Sequence, residues 1–413
     1  IHFLIPATDP NSNLCKTLLS AGILGYPSPT ILAWKEKLDE TGLGGGSHLM
    51  KISKTLKYLN SLQKSQDDDL VFMIDAYDIH FQLPVEVLIE RYHRINARHN
   101  ARLQKELGPA YENEGIRQQI IFGAGKRCAP NALWEVACYT VPYSYAPDDL
   151  YYNNTDTVLG HNNWYSMKQR YINSGYIIGP VGMMRKLFER AQEKADDHKD
   201  KPIYGASDQA IFARIMGEQN YAREVQRLKH VSAWEKFWHP YMATKPRDNF
   251  VQGLYIDNIL KPSVSVTPFV PDEDTDYEFG MGLDYFSELG HQTMNSDINR
   301  DSQWLIWDHP ENTTFHAQAQ SKFSRHSKLD CPVRVPTDLP YDIANLSNPF
   351  HLLERTNLPD KKVWTSKTWR EVPLYSHLCM GTVPVMVHHN GGKENRDYRW
   401  PDLWMQPRVR NLI

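Results

Sequence analysis

The chain has 413 residues and an almost balanced charge, with 46 Lys and Arg against 49 Asp and Glu and a formal net charge of -3. No long block of one sign occurs, so the charge pattern gives no support for nucleic acid or an anionic membrane as the main partner. No apolar run reaches the length of a transmembrane helix. The length predicts two or three domains, or one large α/β domain with insertions.

The first segment has the features of a nucleotide-binding edge. Residues 1–5 are apolar and predict a buried strand, and the polar turn after them contains Thr8. In doubly wound sheets such a turn is where the base or ribose of a nucleotide binds. A helix is predicted over residues 14–21, and Trp34 follows a proline-rich break.

A glycine run at residues 44–46 precedes a predicted helix over residues 47–62. Gly45 and Gly46 let the backbone approach a ligand closely, and the positive end of the helix would face the same way. The run therefore predicts a phosphate contact. A flexible surface hinge is the alternative.

The acidic pair Asp75 and Asp78 follows the apolar run 70–74, which predicts a strand buried on both faces. Ligands of open α/β sheets bind beyond the carboxyl ends of the strands. Two close carboxylates repel each other unless a cation lies between them, so the pair predicts a divalent-metal site with room for substrate phosphates. A strand-end turn with Asx-type hydrogen bonds is the alternative.

The middle of the chain alternates helices and strands, which predicts an α/β fold. An amphipathic helix is predicted over residues 84–107, with His93 and His99 on its solvated face. The other predicted elements are a strand at 118–122, a short strand at 138–141, a surface loop at 143–165, a strand at 171–179 and helices at 180–197 and 206–216.

A polar interruption at Asn173, Ser174 and Gly175 lies within the predicted strand 171–179 and lets donors approach a bound group. Further on, Asp208 begins a predicted helix, with Ser207 or Asp208 as its N-cap. Capping is the structural alternative to a chemical role for Asp208.

Periodicity fades from residue 225 to residue 382, so no topology is predicted there. An apolar strand is predicted at 383–387, and imidazoles beside glycines follow it directly. Such groups at a strand end can bind a metal and its phosphates. The polar segment comprises His388, His389, Asn390, Gly391, Gly392 and Lys393.

The cysteines and sequons bear on the compartment. The five cysteines include no CxxC pair, which argues against a zinc site; Cys128 and Cys138 either form a disulfide or remain free thiols. Sequons begin at Asn153, Asn312 and Asn345 and favour the secretory lumen, in the Golgi or endoplasmic reticulum. The chain starts without methionine, so we expect a processed form with any membrane anchor upstream of residue 1.

Several of these segments, in this order, resemble the glycosyltransferase domain of multifunctional lysyl hydroxylases, the procollagen galactosylhydroxylysine glucosyltransferases. The resemblance covers most of residues 1–225 and then short islands around residues 283 and 387. The segments that carry it are Trp34, the glycine run 44–46, the residues 75–78, the residues 173–175, Asp208 with Gln209, the segment 283–292 and the residues 387–391.

The resemblance implies a GT-A fold, a Rossmann-like mixed sheet flanked by helices with a large C-terminal insertion, that uses Mn²⁺, or Mg²⁺ in its place, and a UDP-sugar. It implies one catalytic domain over residues 1–413, with a nucleotide-sugar core at 1–224, an acceptor region at 225–382 and a site-closing segment at 383–413. Asp75, Asp78 and His388 match the metal ligands, and Asp208 matches the catalytic aspartate. The residues implied at the donor site are Thr8, Trp34, Gly45, Gly46, His48, Tyr77, Asn173, Ser174, Gly175, Asn390, Gly391 and Lys393.

The chain departs from the family pattern at two positions. His48 stands where the family has a lysine after its glycine run, and Ser207 stands where it has the first of two acidic residues. The leading hypothesis is a metal-dependent transferase that moves a hexose from a UDP-sugar, with UDP-glucose favoured over UDP-galactose, to an unidentified acceptor hydroxyl with retention of configuration. The alternatives are a catalytically silent nucleotide-sugar or glycan-binding module and a metal-dependent phosphohydrolase.

Overall fold

The computed structural model describes residues 1–36, 47–157, 164–197, 207–232, 234, 265–296, 301–308, 331–392 and 394–413. The strands in these residues are β1 His2–Pro6, β2 Thr30–Leu32, β3 Leu70–Ile74, β4 Ile79–Phe81, β5 Ile120–Gly125, β6 Leu150–Asn153, β7 Tyr171–Pro180, β8 Met281–Leu283, β9 Gly290–Gln292, β10 Ser302–Leu305, β11 Leu374–His377 and β12 Met386–His388. The helices are α1 Ser12–Ile23, α2 Ser47–Ser61, α3 Val85–Leu107, α4 Pro109–Asn113, α5 Val136–Tyr139, α6 Val181–Asp197, α7 Asp208–His230, α8 Tyr341–Ala344, α9 Lys361–Thr365 and α10 Asn395–Arg399.

A mixed sheet lies at the centre of the described chain, with its six strands in the order β2-β1-β3-β7-β5-β8. Strands β1, β2, β3, β5 and β8 run in the same direction, and β7 is antiparallel to both of its neighbours, β3 and β5. The carboxyl end of β3 and the amino end of β7 therefore lie at the same edge. This confirms the predicted α/β class and the predicted mixed sheet flanked by helices.

Strand β3 is buried on both faces, as its continuous apolar run predicts. Val71 and Met73 pack into a core cluster with residues of α2, α6 and α7. Phe72 and Ile74 point to the other face, where they join a cluster built from α1, α3 and the C-terminal residues of the chain. The alternation of side chains along the strand thus connects both cores through one element.

Four predicted helices are confirmed, at 14–21, 47–62, 84–107 and 180–197, and their ends agree within a few residues. Helix α3 starts directly after Pro84 and ends at Gly108, whose φ of 56° lies in the left-handed region that glycine adopts without strain. The helix predicted to end at residue 216 is longer than predicted, since α7 continues to His230. The predicted division at residue 224 lies inside α7; the three-part division of the chain stays a prediction.

The short strand predicted at residues 138–141 is wrong, because Cys138 belongs to the one-turn helix α5. Tertiary packing explains the difference. A Cβ atom at Gly217 would lie 2.2 Å from the Val136 carbonyl oxygen, so the glycine lets α7 approach α5 closely. The Thr140 hydroxyl donates to the carbonyls of Val136 (2.7 Å) and Gly217 (2.9 Å) and stabilises this contact.

Two predictions of solvent exposure are also wrong. The predicted loop 143–165 contains strand β6, in which Leu150 and Tyr151 are buried. His99 is only 3 % exposed, whereas His93 is exposed as predicted. His99 lies four residues after Ile95, which places it on the apolar stripe of α3 rather than on its polar face.

The region without a predicted topology, 225–382, supplies parts of two smaller sheets. Strand β12 pairs antiparallel with β4 and parallel with β9, and β10 pairs antiparallel with β11. Strand β4 begins immediately after Asp78. The three-stranded sheet therefore brings residues near 290 and 388 to the end of β3.

Two disulfide bonds join the described cysteines, Cys128 to Cys138 and Cys331 to Cys379, and Cys15 is free. The sequence left open whether Cys128 and Cys138 form a disulfide or remain free thiols, and the first bond shows that they form a disulfide. Disulfides persist in oxidising compartments, so the pair of bonds indicates a secretory-like environment. Among the described residues, no helix is long and apolar enough to cross a membrane.

Candidate functional site

Asp75, Asp78 and His388 meet at the carboxyl end of β3. The Asp75 amide donates to the Gly175 carbonyl of β7 (2.8 Å), which extends the β3–β7 pairing into the acidic segment. In the smaller sheet His388 pairs with Ile79, and the next amide, that of His389, donates to the Asp78 carbonyl (2.7 Å). One potential ligand atom from each of the three residues lies within 4.8 Å of the others.

The imidazole of His388 is aimed at both carboxylates. Its Nε2 atom lies 3.3 Å from Asp78 Oδ2 and 3.7 Å from Asp75 Oδ2. Its Nδ1 atom lies 2.8 Å from the Gln292 side-chain oxygen, which also accepts a hydrogen bond from the Asn390 amide (2.7 Å). An amide oxygen only accepts, so Nδ1 carries a hydrogen and Nε2 is the atom presented to a ligand.

Electrostatics favour a positive charge among these three side chains. Burial would raise the pKa of Asp78, but the neighbouring His388 outweighs it and lowers that pKa. Burial would likewise lower the pKa of His388, but Asp78, and Asp75 after it, raise it. Asp78 Oδ1 is buried and has no hydrogen-bond partner among the described residues. This carboxylate oxygen and the imidazole fit the ligand set of a hard or borderline divalent cation.

Gly175 makes room for the ring of His388. A Cβ atom at this position would lie 2.0 Å from His388 Cε1 and 2.4 Å from its Nδ1, closer than any side chain tolerates. Gly175, the glycine of the predicted polar interruption, is therefore needed at this position for a steric reason. It allows the histidine ring to lie directly against the backbone of β7.

A second charged cluster adjoins the first through Lys51, a residue that the sequence analysis did not single out. Lys51 Nζ donates to Asp75 Oδ1 (2.8 Å) and to the Ser174 carbonyl (2.5 Å), and lies 3.0 Å from Asp208 Oδ2. His48 Nδ1 lies 3.3 Å from the other oxygen of Asp208. Lys51 and Asp208 are buried, whereas His48 is half exposed.

Each pKa in this second cluster shifts towards the charged form. Burial would lower the pKa of Lys51, but Asp208 and Asp75 outweigh it and raise that pKa. Burial would raise the pKa of Asp208, but Lys51 and then His48 lower it well below its ordinary value. The hydrogen bond to Asp208 is the largest influence on His48 and raises its pKa.

The signal for Lys51 was present in the sequence at helical spacing. His48 and Lys51 are three residues apart on α2, so they share one face of the helix. Ser207 occupies the N-cap position of α7, and its side chain makes no capping hydrogen bond. Asp208 is the first helical residue and pairs with Lys51, so N-capping does not explain it.

Asn173 and Ser174 hold the edge of β7 against the start of α7. The Asn173 side-chain oxygen accepts from the Gly175 amide (2.9 Å), and its amide nitrogen donates to Gln209 Oε1 (3.1 Å). The Ser174 side chain makes a hydrogen bond to Asp208 that contributes to the lowered pKa of that carboxyl. Both side chains are therefore engaged within the protein.

Thr8, Trp34 and Tyr77 lie together at the same edge of the sheet. The Tyr77 hydroxyl accepts from the Thr8 amide (3.1 Å), and the Lys35 amide donates to the Thr8 carbonyl (2.9 Å). Trp34 is 41 % exposed and stands between Ala33 and Lys35, whose φ angles of 64° and 59° lie in the left-handed region. Such backbone is costly for residues with a Cβ, and it places Trp34 in a turn whose next residue is hydrogen-bonded to Thr8.

The remaining predicted donor residues divide between described and undescribed parts of the chain. The Asn390 side-chain oxygen accepts from the Met294 amide (2.9 Å), and the Gly391 amide donates to the Thr293 hydroxyl (3.3 Å). Asn390 and Gly391 thus follow β12 and lie beside the contact between Gln292 and His388. Gly45, Gly46 and Lys393 lie outside the described residues.

Comparisons with protein-family models and with curated proteins find no match for this chain.

Proposed function

We propose that this protein is a divalent-metal-dependent glycosyltransferase of GT-A type that transfers a hexose from a UDP-sugar to an acceptor hydroxyl, with UDP-glucose as the favoured donor. The observation that carries the proposal is the convergence of Asp75, Asp78 and His388 within 4.8 Å at the carboxyl end of a central strand. That position is where nucleotide ligands bind in open α/β sheets.

A bound Mn²⁺ or Mg²⁺ would supply charge stabilisation to the diphosphate as the bond from the sugar to the phosphate breaks. Asp75, Asp78 and His388 would hold the ion, and Gln292 would keep the histidine ring oriented by fixing the hydrogen on Nδ1. Two carboxylates and one imidazole form a donor set that accepts Mn²⁺.

Lys51 and Asp208 support a donor pocket next to the metal ligands. Lys51 bridges Asp75 and Asp208, so it fixes the metal ligand relative to the candidate catalytic residue. His48 is half exposed and carries a raised pKa, which favours an imidazolium able to pair with a phosphate in place of the family lysine. Asp208 would orient the acceptor hydroxyl or stabilise positive charge at the anomeric carbon.

One observation favours the silent binding module as the second candidate. Both oxygens of Asp208 are already engaged, one with His48 and the other with Lys51. A carboxylate held in this way is less available to an acceptor hydroxyl than a free one. The phosphohydrolase has weaker support, since the described residues contain a single group of potential metal ligands.

The compartment proposed for this activity is the lumen of the Golgi or endoplasmic reticulum. The two disulfide bonds support it, and the asparagines of two sequons, Asn153 and Asn345, are exposed as glycosylation requires. The acceptor is a protein, a glycan or a small molecule, because acceptor choice does not follow from fold or metal site.

Calorimetry with UDP, UDP-glucose and UDP-galactose, each with and without Mn²⁺, tests the proposal together with an assay of UDP release. We expect metal-dependent binding that Asp75→Asn or Asp78→Asn weakens by about tenfold or more. Asp68→Asn is the matched control, because it makes the same charge change at an exposed position before the same strand.

The three hypotheses give different results in these assays. Metal-dependent binding with release of UDP supports the transferase, and binding without turnover supports the silent module. Hydrolysis of simple phosphate esters without sugar transfer supports the phosphohydrolase. Binding of UDP that is equally tight with and without the metal would contradict the proposal.

A further inference from the structure

Arg396 adjoins the candidate metal ligands from the C-terminal part of the chain. It belongs to α10, the helix that follows β12 and the polar segment after it. Its Nη1 atom donates to the Tyr77 carbonyl oxygen (3.2 Å), and Tyr77 directly precedes Asp78. Arg396 lies outside every segment that carries the resemblance, so no role is expected for it from the sequence.

Two contacts hold α10 against the elements around the candidate site. Trp400, directly after the helix, packs edge to face on His80 of β4, with ring centroids 5.2 Å apart. Asp397 forms an ion pair with Lys16 of α1, so the charges of these two side chains balance. The helix is therefore anchored to both β4 and α1, and Arg396 has a defined place at the end of β3.

The charge of Arg396 acts on Asp78. Burial would raise the pKa of Asp78, but His388 and, after it, Arg396 and Lys51 lower that pKa. A nearby opposite charge has this effect because it favours the ionised carboxylate. The same positive charge repels a divalent cation. A site that bound only a metal ion would therefore gain nothing from a guanidinium at this place.

The balance of charge in the proposed site shows where a further cation is useful. Asp75, Asp78 and Asp208 carry three negative charges. Lys51, which contacts Asp75 and Asp208, and one divalent ion would together supply three positive charges. The diphosphate of UDP then adds negative charge that this set does not compensate. Arg396 supplies positive charge on the Asp78 side of the site.

Arg396 is half-buried, which suits contact with an anion at the mouth of the site. A guanidinium makes short, charge-assisted hydrogen bonds to phosphate oxygens. The bond to Tyr77 restrains the group beside Asp78, so less conformational freedom is lost when an anion binds. His48, whose pKa is raised, is the second cationic group of the proposed site and lies on the Lys51 side.

We propose that Arg396 binds a phosphate oxygen of UDP and positions the diphosphate beside Asp78. The inference rests on the proposed function and adds a donor contact to it. The guanidinium would stabilise the negative charge that develops on the diphosphate as the bond to the sugar breaks.

Calorimetry of the full chain, with Mn²⁺ alone and with UDP at saturating Mn²⁺, tests this inference. Arg396→Gln is expected to weaken UDP binding by about ten- to a hundredfold, because a charge-assisted hydrogen bond is lost. The same variant is expected to bind Mn²⁺ alone about threefold more tightly, because a repelling charge is removed. The wild-type protein tests the proposed function separately, since without Mn²⁺-dependent UDP binding in the wild type the proposed function itself fails.

Arg399→Gln is the matched control. It removes the same charge from the same helix, at a side chain that pairs with Asp402 (3.6 Å). It is expected to bind UDP within about a factor of two of the wild type. Arg396→Lys keeps the charge without the planar geometry and is expected to restore part of the affinity for UDP.

Circular dichroism establishes that each variant is folded. Wild-type affinity for UDP in folded Arg396→Gln would overturn the inference. Equal losses of affinity for Mn²⁺ alone and for UDP would also overturn it, because Arg396 would then only support the metal ligands. Uridine, followed by saturation-transfer NMR, has no phosphate. A loss for uridine as large as the loss for UDP would mean that Arg396 acts only through Tyr77, against the proposed phosphate contact.

Discussion

Gly175→Ala adds a single methyl group against the ring of His388. Its Cβ would lie 2.0 Å from His388 Cε1, and ordinary contact begins at 3.4 Å, so the ring must move by about 1.4 Å. Metal ligands tolerate shifts of only about 0.2 Å. We therefore expect the Mn²⁺-dependent affinity for UDP to fall by about tenfold or more, and the free energy of unfolding to fall by about 1–3 kcal/mol.

Calorimetry of UDP binding with Mn²⁺, together with urea unfolding, measures both effects. Gly22→Ala is the matched control, because no atom lies within 4 Å of the added methyl group and the residue is helical. It is expected to leave UDP binding unchanged and to raise the free energy of unfolding by up to about 1 kcal/mol. Wild-type affinity in a folded Gly175→Ala variant would refute the assignment of His388 as a ligand.

Three further predictions concern stability, measured by urea unfolding. Lys51→Met leaves the buried Asp208 carboxylate without its lysine partner and is expected to cost about 3–5 kcal/mol, whereas Lys54→Met removes a partly exposed ion pair and should cost about 1 kcal/mol or less. Burial would raise the pKa of Asp342, but the hydrogen bond from Arg91 outweighs it and lowers that pKa. A lowered carboxyl pKa stabilises the fold at pH values above the unfolded-state pKa of about 3.9. This stabilisation is lost as the pH falls through the folded-state pKa. Asp342→Asn should therefore lose less stability than the wild type between about pH 6 and pH 3. Reduction of the disulfide that spans 48 residues is expected to lower the free energy of unfolding by about 4 kcal/mol, and no change would contradict its structural role.

Local patterns predicted the elements that bury a continuous or periodic apolar face. The run before Asp75 predicted β3, and the stripe of residues after Pro84 predicted α3, because burial on one or both faces leaves a direct trace in the sequence. The strand predicted at 138–141 was wrong for the opposite reason. Its conformation depends on close contact with Gly217, almost eighty residues further along the chain.

Local sequence patterns also predicted only part of the candidate site. The residues next to β3 were predicted from its carboxyl end, but the approach of His388 depends on a strand pairing across more than three hundred residues. No local pattern encodes that pairing, and only the resemblance assigned His388 to the same metal ion as the two aspartates. The helical spacing from His48 places Lys51 on the same face of α2, but the spacing alone did not identify Lys51, because its partners, Asp75 and Asp208, come together only in the folded sheet.

In the proposed function, Asp75, Asp78 and His388 together hold a divalent cation that binds the diphosphate of UDP. The most direct measurement is an anomalous difference map, at the manganese absorption edge, from crystals soaked with Mn²⁺ and UDP. We expect one strong peak between these three side chains, about 2.0–2.4 Å from each ligand atom and in contact with phosphate oxygens. UDP bound with no peak at that position, or a peak held by other residues, would contradict it.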